Sequence, residues 1–451
     1  MIDRDRLPAL MAAERDRFDQ THPASAELAF RGRRSLLAGV PMHWMVRWAG
    51  GFPVFVDRAE GAHFTDVDGH EYVDLCLGDT GAMTGHSPPG STPAIAAQLE
   101  RGITTMLPTR DAIEVAEELG RRFGVTNWQF TLTATDANRF VIRLARQLTG
   151  RPRILVFNGC YHGTVDETIV RLDADGSVVA RPGSIGPPVD PSVTTRVCEF
   201  NDLDALEREL EHGDVALVLA EPAMTNVGIV MPIDGYHAAL RDLTRAHDVL
   251  LALDETHTIC CGPEGATGAW GLEPDILTVG KPIGSGVPSG AYGLSAELDE
   301  RITDDTFRDL DVADVGGIGG TLAGNALSLA AMDATLRHVL TAEAFAHTIP
   351  LAARFAEGVD AVIAEHGLGW HVAQLGCRAE YRFQPDHPRN GGEAIASDDP
   401  ELDAYLHLYA LNRGVLMTPF HNMALMSPAT TEADVDRHTA VFTLAVESLL
   451  V

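Results

Sequence analysis

The chain has 451 residues, with 34 Lys or Arg against 64 Asp or Glu and a formal net charge of −30. That acidity argues against nucleic acid and anionic membrane surfaces as partners, and any bound anion must rely on a local site. A hydrophobic content of 45% is ordinary for a globular protein with a sizeable core.

In chain order, residues 1 to about 38 are charged and helical in pattern, with no apolar stretch resembling a signal peptide. Phe52–Val56 and His63–Asp74 read as hairpin strands turning at Asp68-Gly69. From Trp128 to Gly293 short apolar runs alternate with helical segments. The runs are 129–132, 154–157, 215–220, 249–253, 276–279 and 290–294, and the helices include 137–147 and 236–247. Such alternation predicts an α/β domain on a mostly parallel sheet, with ligands at the carboxyl ends of the strands. The Pro- and Gly-rich stretch 173–192 reads as a long loop, either a lid or disordered. A long helix is expected over about 322–339. Strands at 375–383 and 415–417 then suggest a smaller α+β domain. The expected division is an N-terminal segment 1–75, a large domain 76–330 and a small domain 331–451. No apolar run reaches membrane-spanning length. Six scattered cysteines without a CxxC fit reduced thiols in a cytoplasm.

One residue stands out by count. Of the 34 basic residues, 33 are arginine and one is lysine, Lys281. A coding bias toward arginine explains why lysine is rare, but not why one remains. Arginine is always charged, whereas a desolvated lysine can become a neutral nucleophile. Lys281 follows the buried run Ile276–Val279 through Gly280, which places it at the carboxyl edge of the sheet. A phosphate-loop role fails, because Asp275 stands where that loop needs glycine and Pro282 where it needs Ser or Thr. Lys281 is therefore a candidate Schiff-base former.

Three other strand ends carry chemistry. Val249–Leu253 delivers Asp254 and Glu255, of which a carboxylate can pair with a cationic ring nitrogen. Thr133-Ala134-Thr135-Asp136 opens a helix with the 3.6-residue period, so its hydroxyls and amides can form an anion site or serve simply as a cap. Asn158-Gly159-Cys160-Tyr161-His162-Gly163 offers an aromatic pair, for stacking or for the core. A metal site from His257, Cys260 and Cys261 lacks an evident fourth ligand, and no metal is expected.

In order and spacing, these segments resemble the class III aminotransferases, the fold-type I pyridoxal-phosphate enzymes that include glutamate-1-semialdehyde aminomutase and the β-amino-acid transaminases. The resemblance covers about residues 35–440. It rests on Thr133–Asn138, Tyr161-His162-Gly163, Glu221-Pro222, Asp254-Glu255-Thr256, Gly280-Lys281 and Gly320–Asn325. It implies pyridoxal 5′-phosphate as cofactor, joined to Lys281, which would also move the substrate proton. Asp254 would keep the pyridine nitrogen protonated. Tyr161 and Thr256 would flank the ring, His162 would lie among the cofactor residues, and Thr133, Ala134 and Thr135 would take the phosphate. Glu221 would orient groups near the cofactor hydroxyl. Thr321 would reach the phosphate of a second subunit, implying a homodimer with shared active sites.

Five departures from the family pattern matter. Ala134 replaces a glycine, Asp136 a glutamate, and Thr256 a branched apolar residue. At the substrate end, Trp44 takes an arginine position with Arg47 nearby, and Met417–Met423 lacks the second arginine of the β-amino-acid enzymes. Trp44, Arg47 and Phe420 are the candidate substrate residues, while Arg378 and Arg382 are further carboxylate partners. The expected activity is amino-group transfer between an amine or amino acid, bulky or aromatic, and an oxo compound by a ping-pong route. An intramolecular aminomutase or a racemase is the alternative. A non-catalytic scaffold conflicts with an intact Lys281, Asp254 and Thr321. A nicotinamide dehydrogenase lacks its early glycine fingerprint.

Overall fold

The computed structural model describes residues 2–186, 189–302 and 317–450. The chain forms two compact units. One comprises Pro89–Ala342 with Pro388–Ala396; the other comprises Met1–Pro88, Glu343–His387 and Ser397–Val451.

A seven-stranded sheet organises the first unit. Its spatial order is Asn127–Thr131, Gly290–Leu294, Ile276–Val279, Leu250–Asp254, Val215–Ala220, Arg153–Phe157 and Thr195–Cys198. Gly290–Leu294 runs antiparallel to both its neighbours, while the other pairings are parallel. Asn127–Thr131 therefore points the same way as the remaining five, and six carboxyl ends share one edge. The inner strands Val215–Ala220, Leu250–Asp254 and Ile276–Val279 read as nearly continuous apolar runs because both faces are covered. Ile154, Val156, Leu250 and Ala252 face one apolar cluster, and Leu155, Phe157, Leu251 and Leu253 face the other. Fully burying such a side chain contributes about 1.5–3 kcal/mol.

The Ala134–Thr149 helix lies on the first of these clusters through Ala137, Phe140, Val141, Leu144 and Ala145. This is the face that the sequence period predicts. Thr133 caps its start, and Gly150, at φ +66°, ends it in the left-handed region where glycine carries no Cβ penalty.

In the second unit, helices Leu7–Thr21 and Pro23–Gly32 precede a sheet of Val56–Glu60, His63–Asp66, Glu71–Asp74 and Val415–Leu416. Phe18, Phe64, Tyr72, Leu408 and Leu411 form its core cluster. A second sheet joins His371–Leu375, Arg378–Arg382 and Met423–Leu425.

Several expected boundaries move. The first hairpin strand starts only at Val56, whereas residues 52–55, including Pro53, carry no strand. The loop expected over 173–192 contains strand Val178–Ala180, paired with Val170–Leu172, and a short helix Pro191–Val193. The helix expected from Leu322 starts at Ala326, capped by Asn325, because Gly324 just before it adopts φ +64°. The run 375–383 is the end of one strand, a turn and all of the next, and Val415–Leu416 pairs with Glu71–Asp74 instead. Thr195–Cys198 is an unanticipated edge strand, where only four residues bear the signal. Among the described residues, no helix is long and apolar enough to cross a membrane.

Candidate active site

The period-2 alternation of a strand decides which of the two acids at 254–255 faces the chemistry. Asp254 follows Leu250 and Ala252 onto the face of the Ala134–Thr149 helix, where Asn138 Nδ2 donates to its Oδ2 at 2.8 Å. His162 Nδ1 meets the same oxygen at 3.0 Å, and the Thr256 amide donates to Oδ1 at 3.1 Å. Glu255 turns to the opposite face. There it accepts from Thr258 Oγ1 at 2.6 Å and from the amides of Ala266 and Thr267, holding the following segment together.

Asp254 is 4% exposed. Burial pushes its carboxyl up, but the hydrogen bond and charge of His162, with the donors from Thr256 and Asn138, outweigh that and hold it at about 2. His162 is held well above its ordinary value: burial lowers it, and Cys160 and Asp254 raise it more. Burial also raises the Glu221 carboxyl, against the hydrogen bonds it accepts from Thr225 and Asn226.

Asn138 is the residue whose role the sequence conceals. It is fully buried, accepts from Thr278 Oγ1 at 2.7 Å, and donates to both Asp254 and the His162 carbonyl. Thr278 is the register partner of Asp254 on the neighbouring strand. A buried side chain one turn into the helix thus fixes a carboxylate 116 residues away.

Lys281 lies three residues beyond Thr278, at the start of a short helix Lys281–Gly284. Its φ of +51° is unusual for a residue with a Cβ and costs about 1–3 kcal/mol, a strain typical of functional sites. A Cβ on Gly280 would come within 2.9 Å of the Ala134 backbone nitrogen, so glycine is what lets this strand end meet the start of the helix. Ala134 itself stands at the first helical position and needs no left-handed backbone. Thr133 Oγ1 accepts from the Asp136 amide at 3.2 Å, and Thr135 Oγ1 accepts from the Thr164 amide at 3.2 Å. The Asp136 carboxylate in turn accepts from Thr133 Oγ1 at 3.1 Å.

His257 Nε2 lies 2.8 Å from Lys281 Nζ, and the His257 side chain is buried. Its only sequence signal is its place three residues beyond Asp254. His257→Phe, which removes this hydrogen-bonding group, is expected to lower kcat about tenfold with little change in KM. His257→Gln, which keeps one, should retain most of the rate. Steady-state kinetics of the two variants check this.

Tyr161 is half-buried, with the Arg181 guanidinium 5.9 Å from its ring centre. Arg181 directly follows the small hairpin, so part of the segment expected as a loop reaches an expected site residue. Thr256 is buried beside Asp254, whereas Thr321 is exposed in the turn before Asn325. In the other unit, the Trp44 and Phe420 rings meet edge-on at 5.5 Å, with the Arg47 guanidinium 5.8 Å from the Phe420 ring. Arg378 and Arg382 are buried in their strand, and Arg382 donates to Ser397 and Asp398.

A cationic ring bearing an aldehyde and a phosphate suits this donor set. A helix start with two threonine hydroxyls faces the phosphate problem, an ionised buried carboxylate the ring nitrogen, and a lone amine the aldehyde.

A sequence profile for class-III aminotransferases matches residues 45–445. The glutamate-1-semialdehyde 2,1-aminomutase of Anaeromyxobacter dehalogenans is 34% identical over 403 residues, covering 88% of this chain and 91% of that protein. A crystal structure of a glutamate-1-semialdehyde aminomutase from Pseudomonas aeruginosa aligns over 100% of both chains with a TM-score of 0.97 and 52% identity. A variant of that enzyme was solved in complex with PMP. The β-phenylalanine aminotransferase of Variovorax paradoxus aligns over 97% of each chain with a TM-score of 0.85 and 27% identity.

Proposed function

The chain belongs to the class-III aminotransferase family, and from that premise we propose that it is a pyridoxal-phosphate enzyme that shifts an amino group within one substrate, an aminomutase acting on an amino aldehyde such as glutamate 1-semialdehyde. This reverses the order of preference that the substrate segment suggested. The observation that carries it is the end-to-end match, at 52% identity, to an aminomutase.

When bound, pyridoxal phosphate supplies an aldehyde that captures amines and a cationic ring that draws electrons from the bonds around the captured nitrogen. Every other part falls to the chain. Lys281 holds the cofactor, and its amine then removes a proton from the substrate carbon and returns it. His257 keeps that amine oriented. Asp254, ionised at working pH, keeps the ring nitrogen protonated, while Asn138, Thr278 and His162 keep Asp254 in place. Thr133, Thr135 and the amide of Ala134 take the phosphate. Tyr161 and Thr256 flank the ring, and Glu221 orients groups at its edge. Arg47 is the carboxylate partner on offer. Thr321, exposed within the chain, would serve the neighbouring subunit of a homodimer with shared active sites.

Intermolecular transamination remains a second reading, favoured by the Trp44–Phe420 pair, which suits a bulky apolar group. One experiment separates the two. Purified holoenzyme given glutamate 1-semialdehyde alone should form 5-amino-4-oxopentanoate without an oxo acceptor. Turnover only when an amine and a separate oxo acid are both supplied would reject the aminomutase reading and support transamination.

A further inference from the structure

The hairpin of Val170–Leu172 and Val178–Ala180 carries two arginines, one in its first strand and one directly after its second. Val170 pairs with Ala180, Arg171 with Val179 and Leu172 with Val178, and the Arg181 amide continues the ladder to the Ile169 carbonyl at 3.0 Å. Val170, Leu172 and Val178 pack on the apolar cluster beneath the Ala134–Thr149 helix. By the two-residue alternation of strands, Arg171 and Arg181 therefore share the other face. They stand there as diagonal neighbours, about 7–8 Å apart. The hairpin is tied to the segment that bears Tyr161, because the Leu172 amide donates to Asn158 Oδ1 at 3.0 Å.

Both arginines are half-buried. Elsewhere in the same unit half-buried arginines are matched: Arg146 meets Glu167, Arg196 meets Asp214, and Arg241 meets Asp275. Arg171 and Arg181 differ. Among the described residues neither guanidinium makes a hydrogen bond or an ion pair, and Arg171 Nε is buried without a partner. Taking a charge out of water without a counter-charge is costly, and two like charges on one face add repulsion. A shortage of carboxylates is not the reason in a chain with 64 acidic against 34 basic side chains. The arrangement fits an anion brought in from outside.

Arg181 shows where that anion belongs. Its guanidinium lies 5.9 Å from the centre of the Tyr161 ring, a contact that orients it without using its N–H donors. Tyr161 is the residue proposed to flank the cofactor ring, which puts Arg181 at the site of reaction. The cofactor phosphate is already assigned to the start of the Ala134–Thr149 helix, so the remaining anion is the substrate carboxylate. The planar guanidinium fork matches a carboxylate with two parallel hydrogen bonds. Arg47, the other candidate, is exposed, so water already serves its charge. We propose that Arg181 binds the substrate carboxylate, with Arg171 as the second cation of the same site. The inference rests on the reading of the chain as a pyridoxal-phosphate enzyme acting on an amino acid, and it names the group that selects the substrate.

The test titrates holoenzyme with 5-aminopentanoate and with pentylamine, straight-chain amines that differ only in a carboxylate replacing a methyl group. Binding is read by calorimetry and by the visible absorption of the cofactor. The wild type should half-saturate with the amino acid at a concentration about tenfold or more below that for the amine. Arg181→Gln should bring this ratio to about one, and Arg171→Gln should lower it about threefold. Arg181→Lys, which keeps the charge but not the fork, should fall between wild type and Arg181→Gln, and it keeps the comparison available where Arg181→Gln does not fold. An arginine with a merely structural role would shift both ligands alike. Absence of a preference in the wild type, absence of any response to 5-aminopentanoate, or a preference that survives both Arg181 substitutions overturns the proposal. A preference lost only in Arg47→Gln overturns it too and assigns the carboxylate to Arg47. The aminomutase assay fails separately: an enzyme that shows this preference yet needs an oxo acceptor keeps the carboxylate site and loses the aminomutase reading.

Discussion

Lys281→Arg is expected to lower kcat about a thousandfold or more, because both the covalent hold on the cofactor and the proton-transferring amine are lost together. Arginine keeps the positive charge but cannot release it to become a nucleophile. The backbone at φ +51° is no harder for arginine than for lysine, so far-ultraviolet circular dichroism and the thermal midpoint of the apoprotein should change little. Since Lys281 is the sole lysine, borohydride reduction of the holoenzyme followed by peptide mapping should label one lysyl peptide in the wild type and none in the variant. An active Lys281→Arg enzyme would remove the basis for the proposed function.

Asp254→Asn should cost about 10²–10⁴ in kcat, since the ring nitrogen loses its only proposed anion. It should also change the acid limb of stability. Asp254 is held at about 2, below its ordinary 3.8, so it contributes stability above pH 3.8 that fades as the pH falls toward 2. His162 has the opposite sign. Held well above 6.5, it contributes fully below that pH and loses its contribution as the pH rises through its folded value. Urea unfolding from pH 3 to pH 9 should therefore show a wild-type decline at both ends and a flatter profile in Asp254→Asn. An unchanged profile would mean that the pair does not titrate as its geometry requires.

The strand ends at Asp254 and Val279 were legible because fully buried strands leave a nearly unbroken apolar run that stops where the polar residues begin. The same runs show which residues reach the sheet edge, which is why Lys281, Asp254 and the helix start at Thr133 could be picked out together. Orientation about the edge was harder. Asp254 and Glu255 look equivalent in a line of letters, and only the alternation of the buried strand separates the one on the helix side from the one that caps Ala266 and Thr267. Contacts across long separations left no local mark at all. Asn138 reads as an ordinary helical residue until the sheet brings Asp254 and Thr278 beside it. His22 and Asp66 lie 44 residues apart with no spacing that suggests their contact. The segment 173–192 failed for a different reason, because a three-residue strand carries too little periodicity to stand out among prolines and glycines.

The Thr278–Asn138–Asp254–His162 chain has a kinetic consequence. Its four members come from four segments that meet only once strands far apart in sequence have paired, and such long-range closure is slow. In the proposed site, the cofactor meets its ring-nitrogen partner only in a chain that has completed this step. Pyridoxal phosphate in a refolding mixture should therefore leave the early collapse untouched and act late, drawing the finished sheet forward by mass action. The order of events is then fixed: the scaffold closes first, and loading follows.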